Sequence, residues 1–171
     1  MLYARHARLG KTAMMIPTLR LLAASLALAA IGSAHGADVS STPAKAADKL
    51  APARALLVQK NWSGAVDELK KVNDPSSADW NNLMGYSLRK TDPANYRSAE
   101  RFYNDALQID PKHRGALEYS GELYLMTGNL PLAEERLARL DKACFMPCDE
   151  HADLKKAVAR FKSAGNKYVA Q

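Results

Sequence analysis

Past residue 45 the apolar positions recur every three or four residues, and no stretch alternates apolar with polar as a half-buried strand does. The spacing predicts helices throughout. AVDELKKV (65–72), AERFYNDA (99–106) and AEERLARL (133–140) share one layout, and their leading alanines, Ala65, Ala99 and Ala133, fall 34 residues apart twice in succession. The same step links Trp62, Tyr96 and Leu130, then Leu69, Tyr103 and Leu137, then Val72, Ala106 and Leu140. Four columns with one period mark an internal repeat whose units bury their apolar faces only by stacking.

Between these segments lie WNNLMGYSLRK (80–90) and ALEYSGELYLMTG (116–128), the partner helices of the repeat. Gly85 is expected against Ala99 and Gly121 against Ala133, small residues that let two helices cross closely while Leu83, Leu88, Tyr103 and Leu107 fill the space around them. Pro52 starts or kinks the first helix. In DEHADLKKAVARFKSAG, Leu154, Ala157, Val158 and Phe161 form one apolar stripe with Lys155, Lys156, Arg160 and Lys162 outside it, as a lid on the stack requires. Asp149 is its expected N-cap and Gly165 its stop. The chain is thus expected to be all-α: a flexible lead-in over 37–45, three helical hairpins over about 46–77, 78–113 and 114–147, a capping helix over 148–165 and a tail over 166–171.

This pattern resembles the tetratricopeptide repeat family. In the last repeat Gly121, Tyr124, Gly128 and Ala133 match the family's small, aromatic, turn and small positions; in the middle one Trp80, Gly85, Ala99, Tyr103, Ala106 and Pro111 do so, with about two extra residues over Thr91 to Asn95. The first repeat matches at Ala53, Leu56, Ala65 and Leu69, but Lys60 replaces the turn glycine. The resemblance implies a right-handed superhelical array whose concave groove binds another protein or peptide. Its register puts Asn82, Tyr86, Arg89, Lys90, Glu118, Tyr119 and Glu122 near that groove, against the plainer reading of such charges as a solvated face. Some family members hold a terminal carboxylate with a clamp of Lys, Asn and Arg. Here Glu118 and Glu122 stand at the corresponding positions of the last repeat, so a partner with a basic or mixed surface fits better.

The amino-terminal segment changes the charge picture. Arg5, His6, Arg8, Lys11 and Arg20 precede the apolar run LLAASLALAAI (21–31) and the small-residue stretch GSAHGA, the layout of a cleavable export signal over 1–36. The run is short for a bilayer span, so no stable membrane insertion is expected after cleavage near Gly36. The expected destination is the periplasm of a Gram-negative bacterium, or secretion. Four of the chain's 24 basic residues and none of its 18 acidic ones lie in that segment, which leaves 20 against 18. A near-neutral remainder with no aromatic-interleaved basic stripe gives no reason to expect nucleic acid as a partner. Gly10, Lys11 and Thr12 lack the earlier glycine of a phosphate loop, since position 5 is Arg.

The two cysteines stand in LDKACFMPCDEH (140–151). In an oxidising compartment an even pair with no other candidate favours a Cys144–Cys148 disulfide. A ring this small removes about 2 kcal/mol of chain entropy, and its larger effect is to fix the corner that aims the lid. Two other readings stay open. Cys144, Met146, Cys148 and His151 form a soft ligand set suited to copper(I), or to zinc with Glu150 completing the shell. Thiol-redox chemistry is the third, although no thioredoxin-like strand pattern accompanies the pair. His113 falls in a turn between repeats. The chain has no nucleophile elbow, zinc-protease helix motif or glycine-rich phosphate loop, and Glu134 and Glu135 beside Arg136 and Arg139 read as a solvated salt-bridge face. No catalytic residues and no cofactor are expected.

Overall fold

The computed structural model describes residues 48–169. The expected export signal, the whole of the lead-in, and residues 46–47 and 170–171 lie outside them. Among the described residues every regular element is helical: α1 (Ala51–Val58), α2 (Trp62–Val72), α3 (Ala78–Thr91), α4 (Tyr96–Ile109), α5 (Arg114–Met126), α6 (Leu130–Ala143) and α7 (Asp149–Ser163), with one 3-10 turn at Pro93–Asn95 between α3 and α4. None of these helices is long and apolar enough to cross a membrane.

Polar caps set where the helices start. Asn61 Oδ1 accepts from the Gly64 amide at 3.0 Å, Ser77 Oγ from Trp80 at 3.2 Å, His113 Nδ1 from Ala116 at 3.1 Å and Asn129 Oδ1 from Leu132 at 3.3 Å, each satisfying a donor that the first turn leaves free. α7 differs from expectation. Asp149 is its first helical residue, and Cys148 takes the cap position without a side-chain bond. Asp149 and Glu150 still place negative charge in the first turn, where the helix dipole favours it.

α1 pairs with α2, α3 with α4 and α5 with α6; each hairpin stacks on the next, and α7 packs on both α5 and α6. The alanine column lies wholly in the core and two of the others largely so, while Trp62, Tyr96 and Leu130 are half-buried at its edge. Ala65, Ala99 and Ala133 have no exposed surface, nor do Leu69, Tyr103, Ala106 and Leu140. Leu154, Ala157, Val158 and Phe161 of the lid join the larger apolar cluster, built on α4 to α7, and a smaller one spans α1 to α3. Trp80 ties α3 to α2 by donating from Nε1 to the Leu69 carbonyl at 2.7 Å.

The close approaches fall where the glycines predict, with one change of partner. A Cβ on Gly85 would meet the Tyr103 ring at 2.8 Å and the Ala99 carbonyl at 3.1 Å. At Gly121 it would meet Leu154 Cδ2 of the lid at 2.5 Å and only then Arg136 Cβ at 3.3 Å. Gly121 therefore makes room for the lid more than for Ala133.

Candidate functional site

α3 and α5 run side by side as the first helices of successive repeats, and their facing surfaces end in an open cavity of about 580 Å³. Six of the seven residues that the register put near the groove line it: Tyr86, Arg89 and Lys90 from α3, and Glu118, Tyr119 and Glu122 from α5. On α3 Arg89 and Lys90 lie three and four residues from Tyr86, and on α5 Glu118 and Tyr119 lie four and three from Glu122, so one helical face presents each set. Asn82, the seventh, does not line the cavity. It is 6 % exposed, and its amide lies where a Cβ on Gly115 would meet it at 3.0 Å, so it packs between α3 and the start of α5.

The plainer reading of these charges as a solvated face does not hold for the central ones, because Arg89 is 3 % and Glu118 8 % exposed. Arg89 Nη1 pairs with Glu122 Oε2 at 2.7 Å and lies 3.7 Å from Met126 Sδ. Its guanidinium sits over the Tyr86 and Tyr119 rings, 5.5 and 5.6 Å from their centroids, a favourable cation–π placement. Among the described residues Arg89 Nε and Nη2 have no hydrogen-bond partner, and neither has the buried Tyr103 hydroxyl. Unpaired buried donors are costly and uncommon in folded proteins.

Aromatic rings brace the cleft. Tyr86 and Tyr119 lie 4.6 Å apart between centroids, and Trp62 of α2 meets Tyr86 edge-on at 5.9 Å. Burial, with the carboxylates of Glu122, Asp153 and Glu150 adding to it, pushes the Glu118 carboxyl up to about 8 against the pull of Arg89. Glu118 is thus largely protonated at neutral pH. Burial and then Glu118 push the Tyr119 phenol up to about 12, while burial and then Arg89 lower the Lys90 ammonium. The site is close to electrically balanced, with a compensated Arg89–Glu122 pair at its centre and aromatic walls around it.

The sequence reading missed two groups. Tyr168, beyond α7, also lines the cavity, as do Asp92, Pro93 and Tyr96 from the longer turn and the start of α4. Arg136, read as part of a solvated face, is 8 % exposed. Its Nε donates to Ser120 Oγ at 3.1 Å and Nη2 reaches Asn104 Oδ1 at 3.3 Å and the Tyr124 hydroxyl at 3.4 Å, while Nη1 pairs with Glu135. His113, placed in a turn, caps α5 and also contacts Asp79 Oδ1 through Nε2 at 3.0 Å.

At the α6–α7 corner Cys144 and Cys148 form a disulfide, their Cα atoms 6.0 Å apart. The bond holds out Phe145, fully exposed, and Met146, 71 % exposed. With both sulfurs bonded to each other, the alternative ligand set of Cys144, Met146, Cys148 and His151 is not assembled, and His151 Nε2 lies instead 3.8 Å from Asp141 Oδ1. Among the described residues no group of three or more His, Cys, Asp or Glu side chains is arranged to hold a metal ion.

Residues 92–143, which run from the turn before α4 through α6, match a family described as tetratricopeptide repeat. No curated protein matches the chain.

Proposed function

We propose that this chain, whose residues 92–143 match the tetratricopeptide repeat family, is an exported protein-interaction adaptor that binds a protein or peptide segment of mixed charge in the cleft between α3 and α5. One observation carries the reading. Six side chains from two successive repeat helices converge on one open cavity, among them the Tyr86 and Tyr119 rings and the paired charges of Arg89 and Glu122. A cleft between successive repeats that combines aromatic faces with a few charged groups suits a ligand with both polar and apolar groups. Export rests on the sequence of residues 1–36 and fits a structural disulfide, which oxidising compartments sustain. No catalytic role is assigned.

The test compares what the protein captures with and without the cleft. Partners held by the wild type should be lost from a Tyr119→Ala, Lys90→Glu double variant of unchanged helicity and retained by Lys70→Glu, Lys156→Glu, which alters only outer-face charges. A partner that ignores the cleft variant and follows the outer-face one would refute the reading.

A further inference from the structure

The disulfide joins two helix ends of opposite sign. Cys144 stands at the carboxyl end of the 14-residue α6, where the last carbonyls are left over, and Cys148 at the amino end of the 15-residue α7, where the first amides are. Side chains bond the first amides of α2, α3, α5 and α6, but no side chain does so at α7. Negative charge is therefore favoured on the Cys148 sulfur and disfavoured on that of Cys144. The ring covers nothing: Phe145, Met146 and Pro147 are exposed, and both half-buried cysteines line two open hollows of about 580 and 300 Å³. The lid has its own anchorage, since Leu154, Ala157, Val158 and Phe161 are buried in the core cluster.

We propose that Cys144–Cys148 is a site of thiol–disulfide exchange, where a partner thiolate attacks the Cys144 sulfur and Cys148 departs as the thiolate at the head of α7. The inference goes beyond the adaptor reading and uses no property of the cleft. As the attacking sulfur bonds to Cys144, the ring's S–S bond breaks and its electron pair passes to Cys148. A second partner thiolate then attacks the partner's sulfur in the mixed disulfide and releases Cys144 as a thiolate, which takes a proton from water. Two partner thiols become one disulfide, and the two electrons they lose leave the protein's pair as thiols. The helix ends set the order, because the better stabilised thiolate leaves faster and first-turn amides stabilise a thiolate. The surrounding charges nearly cancel. Arg114 of α5 lies 3.6 Å from Glu150 and His151 lies 3.8 Å from Asp141, so Asp149 is the carboxylate left to oppose the Cys148 thiolate, while Lys142 in the last turn of α6 softens the penalty at Cys144.

The experiment treats the oxidised full chain with reduced glutathione, beside the oxidised peptide LDKACFMPCDEH (140–151), which carries the same ring without the folded helices. Both are quenched with acid at early times and mapped by mass spectrometry. In the protein glutathione should be found on Cys144 about tenfold more often than on Cys148, and in the peptide about equally on both. The protein's bond should open at least about threefold faster than the peptide's, and Asp149→Asn should quicken it further. Attack at Cys148, attack without preference, or slower opening in the folded protein than in the peptide would overturn the proposal, the last being the behaviour of a bond that serves only as a staple.

Discussion

Two buried arginines, Arg136 and Arg89, differ in how their charge is held. Arg136 is enclosed by α4, α5 and α6, with a partner for each guanidinium nitrogen: Ser120, Glu135, Asn104 and Tyr124. Arg89 lines an open cleft with Glu122 and Met126 on one nitrogen, while its other two nitrogens are enclosed away from the cleft, near the Tyr103 hydroxyl. Both sit over tyrosine rings, Arg136 at 5.4 Å from the Tyr124 centroid. The same residue type on the same scaffold is bonded through every guanidinium nitrogen in one place and through one nitrogen at the wall of a cleft in the other. Completeness of hydrogen bonding, more than burial or charge, separates the two clusters.

Breaking each cluster should reveal that difference. Arg136→Met removes a satisfied network and should cost about 2–3 kcal/mol in urea unfolding, without changing peptide binding in the cleft. The paired change Arg89→Met with Glu122→Gln removes an incomplete network together with its counter-charge. It should cost under about 1 kcal/mol and eliminate binding. The reverse ranking would erase the distinction.

The disulfide corner gives a control away from both arginines. Cys144→Ser with Cys148→Ser should lower stability by about 2 kcal/mol or less and leave cleft binding intact. Loss of binding at unchanged stability would shift the working surface to Phe145 and Met146.

Titration sharpens the comparison further. The folded-state value of Glu118, about 8, lies above its ordinary 4.5, so between them the folded protein holds a proton that the unfolded chain has released. Its contribution is fully present below about 4.5 and is lost as pH rises through about 8. Glu118→Gln should flatten that decline in unfolding free energy, whereas Arg136→Met should leave it unchanged. The smallest effect belongs to the first hairpin, where Lys60 has φ of 57° at the turn position that Gly128 fills with φ of 78° two repeats later. Lys60→Gly should stabilise by about 0.5–1 kcal/mol in thermal unfolding.

The scaffold was legible because its signal is periodic. Alanines at a 34-residue step cannot be exposed surface in a stacked array, and Ala65, Ala99 and Ala133 are indeed fully buried. Six cleft residues were legible for the same reason, since a repeat register carries a face along with it. Tyr168 was not, because its place depends on a chain reversal at Gly165 and Asn166 after the periodic sequence has ended. Arg136 escaped too: locally its spacing from Glu135 and Arg139 is that of a solvated face, and only Ser120, Tyr124 and Asn104, contributed by two other helices, enclose it. Asn82 shared the register of Tyr86, yet the approach of α5 near Gly115 shut it away.

Site-specific photocrosslinking tests the central claim most directly, with a benzophenone side chain placed in turn at Lys90, on the rim of the cleft, and at Lys155, on the exposed side of the lid. The account predicts partner adducts from position 90 that fade when excess free partner is added, and none from position 155. Adducts from position 155 alone would contradict it.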